Sequence, residues 1–227
     1  MEYMDIAGNI KELRSLTDKY NCTLVAVSKT KPEEDIKQAY DAGHLDFGEN
    51  KAQELTAKYE VLPKDIRWHM IGHMQSNKVK YIAPFVHLIH SVDSAKLLKE
   101  VNKQGRKANR KIACLLQLHI AKEESKFGLS EDGLFEILNG EALGNYEHVQ
   151  INGLMGMATF TKDMAQVRKE FKNLKRIFDR VKNEIDRPNV KMDILSMGMS
   201  GDFEVALEEG SNMIRVGSKI FGERNYQ

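Results

Sequence analysis

Eight short apolar runs, each separated from the next by a segment of helical periodicity, constrain this chain more than any single residue does. The runs cover positions 24–27, 45–47, 66–70, 85–90, 111–118, 149–157, 191–196 and 212–216. They are β-branched or apolar and bounded by glycine, proline or polar residues, the pattern of buried strands. Between them apolar residues recur every three or four positions. Ile6, Ile10, Leu13 and Leu16 do so in the first segment, and Met164, Val167, Phe171, Leu174, Phe178, Val181 and Ile185 in the longest. Strict strand–helix alternation predicts a parallel sheet covered by helices, and eight repeats predict a closed (β/α)8 TIM barrel, an α/β fold. At 227 residues the chain has the usual length for such a barrel as one domain, expected to span 1–227.

Local signals set the expected boundaries. Pro32 opens a helix whose first turn carries Glu33, Glu34 and Asp35, favourable to the helix dipole, and Gly43 ends it. The stretch Gly48-Glu49-Asn50 reads as a turn with Asn50 capping the next helix. Asp93 and Ser94 start a helix expected to stop at Gly105, and Pro188 closes the longest one.

Charge excludes several classes of function. With 34 basic against 33 acidic side chains, a net charge of +1, bulk electrostatics favour neither nucleic acid nor an anionic membrane. The basic stretch 103–111 reads as a solvated loop. No apolar run approaches a membrane span, and the first residues lack the basic and apolar regions of a secretion signal. A cytoplasmic protein is expected, with Cys22 and Cys114 as buried thiols.

Chemistry concentrates at both ends of the chain. The first strand runs into Ser28-Lys29-Thr30-Lys31-Pro32, which places Lys29 where a strand stops. An amine held at the rim of a packed sheet, partly desolvated, is suited to attack a carbonyl and form a Schiff base. Two glycine-bearing turns, 196–202 and 215–218, follow the last two strands, where barrels commonly bind phosphate through backbone N–H groups. Closure of strand eight on strand one brings Arg215 and Gly217 to Lys29. A lysine, a phosphate cradle and an arginine at one mouth suit pyridoxal 5′-phosphate. An arginine facing the ring nitrogen only donates, so that nitrogen stays unprotonated and the cofactor is a weaker electron sink.

These motifs, with Phe47-Gly48-Glu49-Asn50, the stretch from Trp68 to Lys78, and Ile220-Phe221-Gly222, resemble the pyridoxal phosphate homeostasis proteins (YggS/PROSC type) along nearly the whole chain. The resemblance implies a barrel like the amino-terminal domain of alanine racemases, with the cofactor held on Lys29 as an aldimine. It further implies that Ser200 and Gly201, with the backbone of Gly217 and Ser218, hold the phosphate, that Arg215 faces the ring nitrogen and that Asn50 lines the ring pocket. It points to a protein without an established catalytic reaction that binds and supplies the cofactor and influences amino-acid and keto-acid balance; a monomeric or weakly associated chain with apo-enzymes as partners is expected. His119 departs from the asparagine expected at that strand end.

Two other readings share the scaffold. An amino-acid racemase would use the same lysine, yet needs a second acid/base, a tyrosine from an added β-domain that this sequence does not contain, and for which Tyr226 is a poor substitute. A phosphate-sugar enzyme would carry no cofactor on Lys29. His69 and His73 lack the neighbouring glutamate of a helical zinc motif, so no metal site is expected. His73, with Gln75, Asn77 and Lys78, reads either as part of the cofactor rim or as a polar loop capping a helix.

Overall fold

The computed structural model describes residues 4–123 and 127–223; Tyr226 lies outside them. Along the chain come α1 (Ile6–Asp18), β1 (Thr23–Val27), α2 (Glu33–Asp41), β2 (Asp46–Glu49), α3 (Ala52–Val61), β3 (Arg67–Met70), α4 (Val79–Ile82), β4 (Leu88–Val92) and α5 (Ala95–Lys107). They are followed by β5 (Ile112–Leu118), α6 (Glu131–Asn139), β6 (Val149–Gly156), α7 (Met164–Glu184), β7 (Val190–Ser196), α8 (Phe203–Glu208), β8 (Met213–Val216) and α9 (Ser218–Phe221). The eight described strands are parallel and close into a barrel in sequence order, the expected (β/α)8 architecture. Closure is made by β1 on β8, with Thr23 opposite Met213, Leu24 opposite Ile214, Val25 opposite Arg215 and Ala26 opposite Val216.

Two apolar layers follow from the period of two along each strand. Residues pointing outward, such as Leu24, Phe47, Trp68 and Ile214, pack against the inner stripes of the helices, including Leu174, Phe178 and Val181 of α7. A smaller cluster of Val25, Leu88, Leu115, Met155 and Met213 fills the lumen. Arg215 follows Met213 by two residues on β8 and so shares its inward direction. In β6 the chain bulges at Gly153, whose φ is +150°. A Cβ there would lie 1.8 Å from the Ile194 carbonyl oxygen, so a glycine is required for β6 and β7 to pair. No described helix is long and apolar enough to cross a membrane.

Three of the boundaries that differ from expectation have a clear physical reason. Asn50 does not cap α3: Gly48 and Glu49 continue β2, and Lys51 takes the cap position with no side-chain hydrogen bond. The fourth strand begins at Leu88, not at position 85, because the N–H groups of Phe85 and Val86 finish α4 on the Ile82 carbonyl. The fifth helix runs through Gly105 to Lys107, and the bare Cα of Gly105 lets the His148 carbonyl approach, where a Cβ would be 2.5 Å away. The glycine serves packing there. Cys22 and Cys114 are free, buried thiols, and burial pushes both up to about 12.

Before β2, His44 is buried with its Nε2 hydrogen-bonded to the Asp46 carbonyl at 2.8 Å. Burial lowers its pKa to about 4, although that hydrogen bond partly opposes the shift. An unfolded imidazole takes up its proton near pH 6.5, so between these values the unfolded chain binds the extra proton. Stability from this residue is therefore complete above pH 6.5 and lost as pH falls towards 4, by on the order of 3 kcal/mol. In urea denaturation series, His44→Gln is expected to remove about that share of the stability lost between pH 6.5 and 4, the remainder staying with His87 and His90, which burial also holds low.

Candidate functional site

Lys29 sits half-buried in the turn after β1, and the backbone on both sides of it is pinned from behind the barrel wall. Lys58 of α3 donates to the Ser28 carbonyl at 2.8 Å, to Glu49 Oε1 at 2.7 Å and to Glu54 Oε1 at 2.8 Å. Ser28 Oγ donates to the same Glu49 oxygen at 2.6 Å, and the Thr30 N–H donates to Glu54 Oε1 at 2.6 Å. Thr30 holds a φ of +62°, unusual for a β-branched residue and maintained by these bonds. Glu49 is fully buried; burial pushes its carboxyl up to about 7 against the opposing pull of Lys58 and Ser28. One turn on, Lys31 Nζ donates to the Phe221 carbonyl at 2.7 Å and ties this loop to α9.

The partner loops arrive from the far end of the chain. Gly198 has a φ of +101°, and its carbonyl accepts from the Arg215 N–H at 3.0 Å, so the turn after β7 is stitched to β8. Asp202 Oδ1 accepts from the Met199 N–H at 2.6 Å, which engages its charge within the turn. Ser200 Oγ accepts from the Gly217 N–H at 3.2 Å and holds the two glycine turns together. A Cβ on Gly201 would meet no heavy atom within 4 Å, so this turn is open to whatever lies above it. Gly217 lies close to strand β1, with 3.1 Å between its ideal Cβ position and the Val27 carbonyl oxygen.

These loops enclose a cavity of about 440 Å³ at the carboxyl ends of the strands. Lys29, Asn50, Ser200, Gly201, Arg215, Gly217 and Ser218 all line it, so the seven residues expected to hold the cofactor border one space, whereas Gln75, Asn77 and Lys78 do not reach it. Its remaining wall includes Gln117, Met157 and His73. Asn50 reaches this wall because Gly72 lets its backbone pass: a Cβ on Gly72 would lie 2.3 Å from the Asn50 carbonyl oxygen. His73 is exposed, stacks on Phe127 at 3.9 Å and meets Asp93 at 3.1 Å, whereas Ser76–Lys78 form a 3-10 turn leading to α4. The His119 ring turns to the Ala121 carbonyl at 2.8 Å.

Arg215 is buried at the cavity floor. It donates through Nη1 to Ser196 Oγ at 2.6 Å and through Nη2 to the Gly156 carbonyl at 3.2 Å. Burial lowers its pKa to about 10, which leaves it cationic at neutral pH. Sequence reasoning assigned no role to Lys58, Glu54 or Glu49. The i,i+4 spacing of Glu54 and Lys58 was the available signal, but it says nothing of the strand behind them.

A protein-family model for the amino-terminal domain of alanine racemase matches residues 3–225. The pyridoxal phosphate homeostasis protein of Aquifex aeolicus is 40% identical over 208 residues, covering 91% of this chain and 89% of its own length. That of Haemophilus influenzae is 35% identical over 206 residues, covering 89% and 85%. This chain belongs to the pyridoxal phosphate homeostasis protein family. Among solved structures, PipY of Synechococcus elongatus, 34% identical, superposes with a TM-score of 0.88 without PLP and 0.86 with PLP bound, each over 96% of this chain and 100% of PipY. Alanine racemase of Bartonella henselae shares the fold at 15% identity, with a TM-score of 0.72 over 97% of this chain and 60% of the racemase.

Lys58 is the counter-charge to Glu49 inside the wall, so removing it leaves a buried carboxyl without its partner. Lys58→Met is expected to cost ~3 kcal/mol in chemical denaturation, and adding Glu49→Gln to recover most of that loss.

Proposed function

We propose that the chain binds pyridoxal 5′-phosphate (PLP) covalently through Lys29 and holds it for supply to other proteins in the cytoplasm. The supporting observation is that one cavity collects the Lys29 amine, the open Ser200–Gly201 turn, the Gly217–Ser218 turn and the buried Arg215 guanidinium. The residues fit the cofactor. A phosphate dianion needs N–H and O–H donors and no bulk, which Ser200 and the open Gly201 turn supply. The ring needs a flat, partly apolar space, and Met157, Asn50 and Gln117 border it. PipY, a relative with PLP bound, shares this barrel.

Attachment is a condensation. Lys29 would hold the group covalently through its Nζ, with one water lost in the attachment. When bound, PLP supplies an electron-withdrawing ring. Arg215 would limit that withdrawal where it faces the ring nitrogen, because a guanidinium has hydrogens to give and no proton to lose to that nitrogen. Lys58, Glu49 and Glu54 keep the Lys29 turn in place from behind. A firm anchor joined to a restrained ring suits a carrier better than a catalyst of carbanion chemistry. We further propose that the recipients are apo-enzymes dependent on PLP, and that amino-acid and keto-acid balance follows from that supply.

Purified protein incubated with PLP is expected to develop a visible absorption band. Lys29→Ala is expected to abolish the band while leaving the circular dichroism spectrum unchanged. In deuterated water the loaded protein is expected to leave the α-protons of added amino acids unexchanged. Steady exchange with turnover would favour a racemase, and a protein that never colours would favour a phosphate-sugar enzyme.

A further inference from the structure

Below Arg215 the lumen is not wholly apolar. A file of polar side chains from β7, β4, β3 and β2 descends from it through the barrel. Arg215 Nη1 lies 2.6 Å from Ser196 Oγ, Ser196 Oγ lies 3.1 Å from His90 Nδ1, His90 Nε2 lies 2.9 Å from His69 Nδ1, and His69 Nε2 lies 3.1 Å from Asp46 Oδ1. Ser196, His90 and His69 are each fully buried, and Arg67 clamps both oxygens of Asp46 at the opposite mouth.

The direction of every bond follows from its partners. A guanidinium can only donate, so Ser196 Oγ accepts from Arg215 and keeps its hydroxyl proton for a neutral His90 Nδ1 to accept. His90 is buried beside the cationic or basic groups Arg215, His69 and His87, and burial first of all holds its pKa far below the usual histidine value. It is therefore neutral, with its one proton on Nε2, which it donates to His69 Nδ1. His69 then carries its proton on Nε2 and donates to the Asp46 carboxylate. Burial opposes the charge on Asp46, yet the hydrogen bonds from Arg67 and His69 more than offset it and hold that carboxyl well below its usual range.

We infer that Ser196, His90, His69 and Asp46 form a one-way hydrogen-bonded column whose role is to position the Arg215 guanidinium as a fixed donor towards the ligand cavity. Each donor polarises the next, so the bonds strengthen one another in a dry lumen. Nη1 is committed downward to Ser196 and Nη2 partly to Gly156, which leaves the other N–H groups of Arg215 for the ligand above. The column members are positioning residues. Asp46, His69 and His87 also bring ligand-type atoms within 4.8 Å of one another, but the two-point Arg67 clamp occupies the carboxylate that a cation would need.

Its link to the ligand rests on the PLP reading, and the test separates the two. Long-range proton–nitrogen NMR of the imidazoles, recorded at pH 7 without PLP, is expected to show His69 and His90 both as neutral Nε2–H tautomers. With PLP loaded, Ser196→Ala and His90→Asn are expected to weaken binding about tenfold and to move the visible band, whereas Ser196→Thr, which keeps the hydroxyl, stays near wild type. Either histidine found as the Nδ1–H tautomer or as a cation would overturn the column. So would Ser196→Ala with unchanged affinity and spectrum in a protein that binds PLP normally. If wild-type protein fails to take up PLP at all, the cofactor reading falls, while the tautomers alone still decide the column.

Discussion

The ladder between β1 and β8 is the constraint on which the carboxyl mouth depends. Four facing pairs join the first strand to the last, and they bring Lys29, one turn past β1, into the same cavity as Ser200 and Gly217. Register matters here more than the strength of any one bond. A slip of one residue would turn Arg215 from the lumen into the helix layer and point Ile214 at the cavity. Apolar partners on both faces oppose such a slip, since Val25 and Met213 belong inside while Leu24 and Ile214 belong outside.

Stability and chemistry are housed in different layers. The shell between wall and helices is almost wholly apolar and contains the large side chains Trp68, Phe47 and Phe171. Its chief polar feature near the site is the Lys58–Glu49 pair, which holds the turn bearing Lys29 at the cost of desolvating two charges. The lumen is different. There a buried cation sits on a polar file, an arrangement that stability alone would replace with methionine or leucine. Its retention makes sense where the cation must stay at one height and give its hydrogens in one direction.

Much of the fold was legible because parallel strands and covering helices have distinct periods. The helical stripe of α7, six residues from Met164 to Val181, and the doubly apolar β5 could be read directly. Errors arose where one residue type serves two ends. Gly105 looked like a helix stop and is a packing gap, and Asn50 looked like a cap and is a cavity residue. In the fourth run the apolar Phe85 and Val86 finish a helix, which period alone does not distinguish from a strand start. The mouth residues could be found because each lies at or just beyond the end of a strand and barrel closure gathers strand ends. The polar file could not, because Asp46, His69, His90 and Ser196 look like isolated polar positions until the register aligns four strands.

The central claim is that closure of the barrel sets one particular amine against the glycine turns made near the end of the chain. Reduction of the PLP-treated protein with borohydride, followed by peptide mass mapping, tests it most directly. A single adduct on the peptide bearing Lys29, diminished when inorganic phosphate competes during loading, is the expected result. An adduct on another lysine with Lys29 unmodified, or labelling of Lys29 indifferent to phosphate, would contradict it.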